Sequence, residues 1–477
     1  MSLGTNTLRL DGKSIRTNVT LPVVNPATGE DVGRIPEAGP ELVDQAVAAA
    51  RHALTGPWRG MTPSERSALL NRLADLVQAE ADDLARLEST DNGKPLWASQ
   101  VIDIPQVAEL FRYNAGWCTK LHGDTIPPSW PGHTVWTARE PVGVVAQITP
   151  WNFPMMMAAR NAAPALATGN TVVLKPSELT SLTTLRLGEL AEEAGFPPGV
   201  ITVLPGRGEV TGAALAAHHD VDMVCFTGGQ DAARSVVKAS ACNFKKLHME
   251  LGGKNPVIVF ADADLDRAIP EIVGAAFSNA GQNCAAGTRV IVEQSIRDEL
   301  VGRLADATGQ MRVGAPTEEN IEMGPLISSD HRDRVRSYIE LGQSEGAELV
   351  VGGETSGPGY FLTPALLTNA RPEMRFMREE IFGPVAGVMT FTDEEEATAL
   401  ANDTEYGLTA SVWSENAGRA HRMAKSLQTG VVWLNCHNRF DVAVPFGGVK
   451  QSGYGRDHGL EAIMEFTSTK AVWLDHG

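Results

Sequence analysis

The sequence predicts an α/β protein whose core is parallel sheet. Three observations carry that reading. From about residue 142, short apolar and β-branched runs alternate with helix-length segments, as strand–helix–strand units do. The runs lack the in–out alternation of half-exposed strands, so both sheet faces should be covered. A similar, less regular alternation recurs from about 270 to 435, which predicts a second α/β domain.

Taken in order, the first 120 residues read as mostly helical. Thr62-Pro63-Ser64-Glu65 is a capping box with proline at the first helical position. Leu69, Leu70, Leu73, Leu76 and Val77 then share one helical face. The polar, proline-containing stretch 118–141 has no period and is expected to project as a hairpin. Strands are expected at Val142–Ile148, Thr171–Lys175, Val200–Leu204, Met223–Phe226, Lys246–Glu250 and Pro256–Phe260, with helices over 181–194 and 209–218. Further strands are expected at Arg289–Val292, Val385–Thr390 and Gly430–Leu434.

Length and composition narrow the function. A chain of 477 residues holds two or three domains and a deep cleft. Its net charge of −18 argues against nucleic acid or an anionic membrane as partner. Five scattered cysteines without a CxxC pair argue against a disulfide framework, and no metal site is expected. No apolar run approaches the ~20 residues of a membrane span. The start MSLGTNTLRL lacks the apolar centre of a signal peptide, so a cytoplasmic location is expected.

Parallel sheets bind ligands beyond the carboxyl ends of their strands, so those loops are the informative ones. The first is Thr149-Pro150-Trp151-Asn152-Phe153-Pro154. Its prolines stiffen the backbone around an amide that suits an oxyanion donor, or simply a structural turn. Lys175 and Glu178 follow the second strand. They can hold ribose hydroxyls, with the carboxylate disfavouring a 2′-phosphate, or form a solvated ion pair. Phe226-Thr227-Gly228-Gly229-Gln230 leads into a helix and can approach a phosphate, or serve as an ordinary turn. Glu250, before Leu251-Gly252-Gly253, suits a general base in a dry cleft, or a cap or surface charge. Cys284 lies in GQNCAAGTRV, where small neighbours leave a thiol room to attack a carbonyl, unless it is a core residue.

Together, TPWNFP (149–154), ALATGNTVVLKPSE (165–178), FTGG (226–229), MELGGK (249–254), GQNC (281–284), EEIFGPV (379–385), NDTEYGL (402–408) and PFGGVKQSGYGR (445–456) resemble the NAD(P)-dependent aldehyde dehydrogenases over essentially the full length. The resemblance implies an aldehyde dehydrogenase-like fold. It has a Rossmann-like coenzyme domain over 1–120 and 142–251 and an α/β catalytic domain over 252–455. Residues 121–141 and 456–477 would form the oligomerisation segment of a homodimer or homotetramer. The implied reaction takes a small-molecule aldehyde to a carboxylic acid. Cys284 forms a thiohemiacetal, Asn152 and the Cys284 N–H stabilise its oxyanion, hydride passes to the nicotinamide, and Glu250 activates water against the thioester. NAD is the expected coenzyme, with NADP possible. Lys175 and Glu178 would bind its adenosine ribose, and Glu380 and Phe382 its nicotinamide half. Trp151, Ser177, Gly208, Phe226, Gly228, Gly229 and Leu251 would complete that site.

Substrate residues are less constrained. Phe153, Met156, Met157, Phe277 and Phe446 are expected to line an apolar tunnel, with Asn283 beside the cysteine. Arg160 stands two helical turns past Asn152, where many relatives have tryptophan. It suits an aromatic, hydroxy- or acid-semialdehyde, or belongs to a surface or intersubunit salt bridge. Asn161 and Ser468 replace a Lys and a Glu linked to proton escape in relatives. Gly229 replaces a serine and Ala233 a glycine of the common pattern. The alternatives are a cysteine-dependent esterase and a non-catalytic binding or structural protein on the same fold.

Overall fold

The computed structural model describes residues 3–4 and 7–477; Met1, Ser2, Thr5 and Asn6, at the start of the expected coenzyme segment, lie outside the described residues. The first α/β unit holds β1 (Val144–Ile148), β2 (Thr171–Lys175), β3 (Ile201–Val203), β4 (Met223–Gly228) and β5 (Lys246–Leu251). They run parallel in the order β3-β2-β1-β4-β5, and Gly453–Tyr454 adds an antiparallel edge beside β5. Every residue of β1 and β2 is buried, as uninterrupted apolar strands require. The chain leaves β1 toward β2 and returns to β4 on β1's other side. The crevice beyond the carboxyl ends of β1 and β4 is therefore the place for a ligand.

Helix α1 (Pro154–Ala167) crosses from β1 to β2 and is buried along its whole length. Gln147, inside β1, ties it down by donating to the Met157 and Ala158 carbonyls at 2.8 and 3.1 Å. The second sheet has seven strands in the order Glu348–Val351, Ala365–Thr368, Val385–Phe391, Arg289–Glu293, Pro256–Val259, Thr409–Trp413 and Val431–Leu434, and only the first is antiparallel. Helix α2 (Leu265–Phe277) packs on it, and its last turn leads to Cys284.

The amino-terminal region departs from the helical expectation. Leu3–Gly4, Thr20–Asn25 and Glu30–Pro36 form a three-stranded sheet, and Thr7–Leu10 pairs with Lys13–Arg16. Asp11 and Gly12, at φ 49° and 72°, make the hairpin turn that an Asp-Gly pair favours. Helices begin at Pro40, and Pro63–Ala79 carries the expected Thr62–Glu65 capping box. Leu70, Leu73 and Val77 of its apolar face are buried, with Leu69 and Leu76 half-buried against the same core.

A small antiparallel sheet joins Thr467–Asp475 to His133–Pro141 and Thr125–Ile126. The stretch expected to act with it, 456–477, is divided. Asp457 is clipped to Phe446 by two backbone bonds, helix Gly459–Glu465 packs against α1, and only the last strand enters the small sheet.

Candidate active site

Cys284 sits in a loop held from four directions. After α2, Asn279, Ala280 and Gly281 are all left-handed, at φ 51°, 55° and 67°. Gly281 must be glycine, because a Cβ there would overlap the Gly383 carbonyl. Gln282 Oε1 accepts from the Ile327 N–H at 2.9 Å. Asn255 Nδ2 donates to the Cys284 and Ala286 carbonyls at 2.8 and 3.0 Å, while its Oδ1 accepts from the Thr409 N–H. His437 Nε2 lies 3.0 Å from the Ala285 carbonyl; burial pushes that ring down to about 4, so it is neutral.

Asn152 is buried beside this loop, with Nδ2 donating to the Gln282 carbonyl at 3.0 Å. Its own carbonyl accepts from Asn279 Nδ2, and the Trp151 carbonyl accepts from Asn92 and Thr180. The loop after β1 is thus rigid on both sides. Glu250, on β5, is buried, and its Oε1 has no hydrogen-bond partner. A Cβ on Gly447 would lie 2.7 Å from that oxygen.

Two cavities meet at Cys284. One, of about 300 Å³, reaches Trp151, Gly228, Gly229, Leu251, Glu380 and Phe382, and Asn152 and Glu250 also line it. Glu380 Oε1 accepts from the Gly253 N–H at 3.1 Å; a Cβ on Gly252 would overlap this carboxylate. Burial pushes Glu380 up to about 7. Arg334 donates to the Glu380 and Ile381 carbonyls, and His331 Nε2 lies 2.7 Å from the Phe382 carbonyl. Sequence reasoning missed both residues, since neither follows a strand. Phe226 lies beneath the loop, where a Cβ on Gly228 would press on its ring at 2.7 Å. Lys175, Ser177, Glu178 and Gly208 stand apart from this cavity. Lys175 Nζ lies 3.1 Å from Glu178 Oε2 at the end of β2, Ser177 is buried beside them, and Gly208 is exposed at the start of a short helical turn.

The other cavity, of about 450 Å³, is lined near the sulfur by Phe153, Met156, Met157, Arg160, Asn283 and Phe446. Phe277 does not line it: the ring is buried in the core of the second sheet, and Ser278 takes the wall. Ala285 is fully buried and lines neither cavity. The outer wall includes Lys94, Trp97, Arg439 and Phe440, which no local sequence signal marked.

Arg160 is on the wall, so the surface and intersubunit readings fail. Its Nη1 lies 3.4 Å from Asp457 Oδ2, and its guanidinium lies 5.4 Å from the Phe446 ring centroid. The other cavity-lining cations are paired as well. Lys94 pairs with Asp103 and lies 3.8 Å from Glu88, and Arg439 pairs with Glu271. Ser468 is exposed on its strand opposite Glu140, away from Glu250, because the chain there has already left the body for the small sheet. The carboxylate that faces Glu250 is Asp457, and Asn161 is buried on α1.

Electrostatics follow from this enclosure. Cys284 is half-buried, and burial pushes its thiol up to about 12 against the pull of Arg160. Burial, then the Asp457 charge, raises Glu250 well above the carboxylate range, opposed by Arg160 and Arg456. Both groups therefore hold their protons more tightly than they would in water.

The aldehyde dehydrogenase family model matches residues 14–472. DhaS of Bacillus subtilis (strain 168) is 45% identical over 476 residues, covering 99% of this chain and 96% of its own. The human mitochondrial aldehyde dehydrogenase is 44% identical over 457 residues, 95% of this chain and 88% of its own. The crystal structure of betaine aldehyde dehydrogenase from Staphylococcus aureus in complex with NAD+ superposes with a TM-score of 0.97 at 38% identity, covering 100% of this chain and 95% of that one. The fold, the two cavities meeting at one cysteine and these similarities agree: the chain belongs to the aldehyde dehydrogenase family.

Proposed function

We propose that this chain oxidises uncharged, largely apolar aldehydes to carboxylic acids with NAD(P)+, preferring NAD+. The observation that carries this reading is Cys284 as the shared wall of two cavities, with Asn152 and Glu250 lining the smaller one.

The residues of the smaller cavity suit a dinucleotide. A Cβ on Gly229 would project into open space where helix Gln230–Ser240 begins, so backbone N–H groups can approach a phosphate. Glu178 beside Lys175 suits ribose hydroxyls and repels a 2′-phosphate, which favours NAD over NADP. NAD+ bound there supplies the hydride acceptor.

Cys284 Sγ attacks the aldehyde carbon, and its proton passes to solvent water in the cavities that meet at the sulfur. The oxyanion forms beside Asn152 Nδ2, whose second N–H is free of the Gln282 bond. After oxidation Cys284 carries the acyl group as a thioester. Glu250 takes a proton from water, the hydroxide adds to the acyl carbon, the C–S bond breaks, and the acid leaves with the thiolate restored. The raised proton affinity of Glu250 makes its ionised form a stronger base than a solvent-exposed carboxylate.

The substrate class follows from charge. Each cation lining the larger cavity faces a carboxylate of this chain, which leaves none for a substrate carboxylate. Phe153, Met156, Met157 and Phe446 favour alkyl or aromatic groups. A panel of aldehydes matched in size and differing in charge, followed by NADH formation with each coenzyme, tests the reading. No NADH from any aldehyde, with ester cleavage retained, would select the hydrolase instead.

We also propose the domain bounds expected from the sequence, 1–120 with 142–251 and then 252–455, with both contributing to the site: Asn152 and Glu250 from the first, Cys284, Glu380 and Phe382 from the second. The small sheet supports a homo-oligomer. Its edge strand Thr467–Asp475 exposes Trp473 and Leu474, beside exposed Trp136. Among the described residues no helix is long and apolar enough to cross a membrane. Five free cysteines fit a reducing, cytoplasmic setting.

A further inference from the structure

The larger cavity changes character along its length. Near the sulfur its apolar wall is buried, with Phe446 only 3% exposed. At the outer end Trp97, Ile102 and Phe440 line the same cavity, yet they are 48%, 48% and 37% exposed. Single exposed hydrophobics are ordinary, but three that share one cavity mouth form a patch of the kind that marks a binding surface. The apolar wall runs from inside to outside without a break. The Phe440 and Phe446 ring centroids lie 5.4 Å apart, and both rings line the cavity that ends at Cys284.

Trp97 is fixed in its exposed position. Its Nε1 donates to the Ile321 carbonyl at 2.8 Å, and the neighbouring Leu96 N–H donates to the Pro316 carbonyl at 2.9 Å. The buried ion pair of Lys94 with Asp103 ties the two ends of this segment together. Within it Ser99–Asp103 is a single π-helical turn, a form that recurs at functional sites. The indole therefore keeps an open face with its N–H already satisfied, and covering that face costs little ordering of the side chain. Charges at this end are engaged elsewhere. Arg439 pairs with Glu271, and Glu322 Oε2 accepts from the Arg312 N–H at 3.0 Å.

We propose that Trp97 is a specificity-determining residue that covers the far end of long apolar aldehydes, so that the preferred substrates are alkanals long enough to reach from Cys284 to the cavity mouth. The inference deepens the proposed function and rests on aldehyde oxidation at Cys284. A short aldehyde fills only the inner wall and leaves the indole in water. A long one lays its last methylenes against Trp97, Ile102 and Phe440, and both surfaces leave water. That contact is the same before and during the chemical step, so it acts on KM rather than on kcat.

The test compares propanal with decanal in steady-state NADH formation. In the native enzyme decanal should have at least about tenfold the kcat/KM of propanal, since each buried methylene is worth up to about fourfold. In Trp97→Ala the decanal-to-propanal ratio should fall about tenfold, with the loss in the decanal KM. Trp97→Phe returns an apolar ring and should recover part of the ratio. A structural disturbance alone would lower both aldehydes alike. An unmoved ratio in Trp97→Ala, or no recovery in Trp97→Phe, overturns the proposal. Calorimetric binding of 1-decanol gives a reading independent of turnover. Its affinity should weaken about tenfold in Trp97→Ala, and an unchanged affinity overturns the proposal. The two ideas separate in these measurements. If no aldehyde yields NADH from the native enzyme while 1-decanol binding still depends on Trp97, aldehyde oxidation is refuted and the binding role of Trp97 stands. If aldehydes are oxidised with ratio and 1-decanol affinity both unmoved in Trp97→Ala, only the role of Trp97 is refuted.

Discussion

Arg160 Nη1 stands 3.4 Å from Asp457 Oδ2, and both side chains are buried at the wall between the two cavities. A paired guanidinium offers little net charge to a substrate. A neutral aldehyde should therefore be turned over with at least about tenfold higher kcat/KM than a size-matched aldehyde bearing a terminal carboxylate, ~1.4 kcal/mol of transition-state binding. Asp457→Asn frees the cation and should narrow that ratio. Equal or better use of the anionic aldehyde by the native enzyme would refute the charge argument.

Cys284→Ala should lower aldehyde oxidation by at least about a thousandfold, since no other group at the junction can hold the acyl carbon. NAD+ affinity, measured by calorimetry, should change little. Undiminished steady-state turnover would remove Cys284 from the mechanism.

Glu250→Gln should still release about one equivalent of NADH per site in a burst, then stall with the thioester in place. Mass spectrometry of the quenched enzyme should find the acyl adduct on Cys284. A linear time course at the native rate excludes Glu250 as the base.

The thiol of Cys284, pushed up to about 12, should alkylate slowly in the free enzyme at neutral pH. Below its pKa the thiolate fraction rises about tenfold per pH unit, so iodoacetamide inactivation should climb steadily through pH 7 to 9. Arg160 lowers that pKa, so Arg160→Met should slow alkylation further at each pH. A plateau reached by about pH 8 would show an already ionised thiol.

Asn255→Ala removes two donors from the Cys284 loop and the acceptor for the Thr409 N–H. The loss of buried bonds should lower stability by about 2 kcal/mol or more, seen as a reduced Tm. kcat should fall more than the KM for NAD+ rises, because the sulfur loses its position while the other cavity is untouched.

Much of this site is written in local sequence. Asn152 and Glu250 lie at the carboxyl ends of β1 and β5, where parallel sheet places ligands, and Cys284 stands among residues too small to cover it. The N-terminal strands were missed because their apolar runs are short, although the Asp11-Gly12 turn signals the hairpin. Asn255, Arg334 and Asp457 were not legible, for their partners come from distant segments. Ser468 was aligned with a relay glutamate of relatives, but whether a residue there faces inward depends on where the chain leaves the body. That departure follows helix Gly459–Glu465, after Asp457. Phe277 was misread for a different reason: Pro270, Glu271, Gly274, Ala275 and Ser278 form the cavity face at helical spacing, and Phe277 falls off that face into the core.

The wall at Cys284 separates two doorways. In the proposed reaction an aldehyde enters on one side of the sulfur and the dinucleotide on the other, so neither should block the other's path. Spent coenzyme can then leave while the acyl group is still attached, and a compound lodged in the aldehyde doorway should inhibit without competing with NAD+.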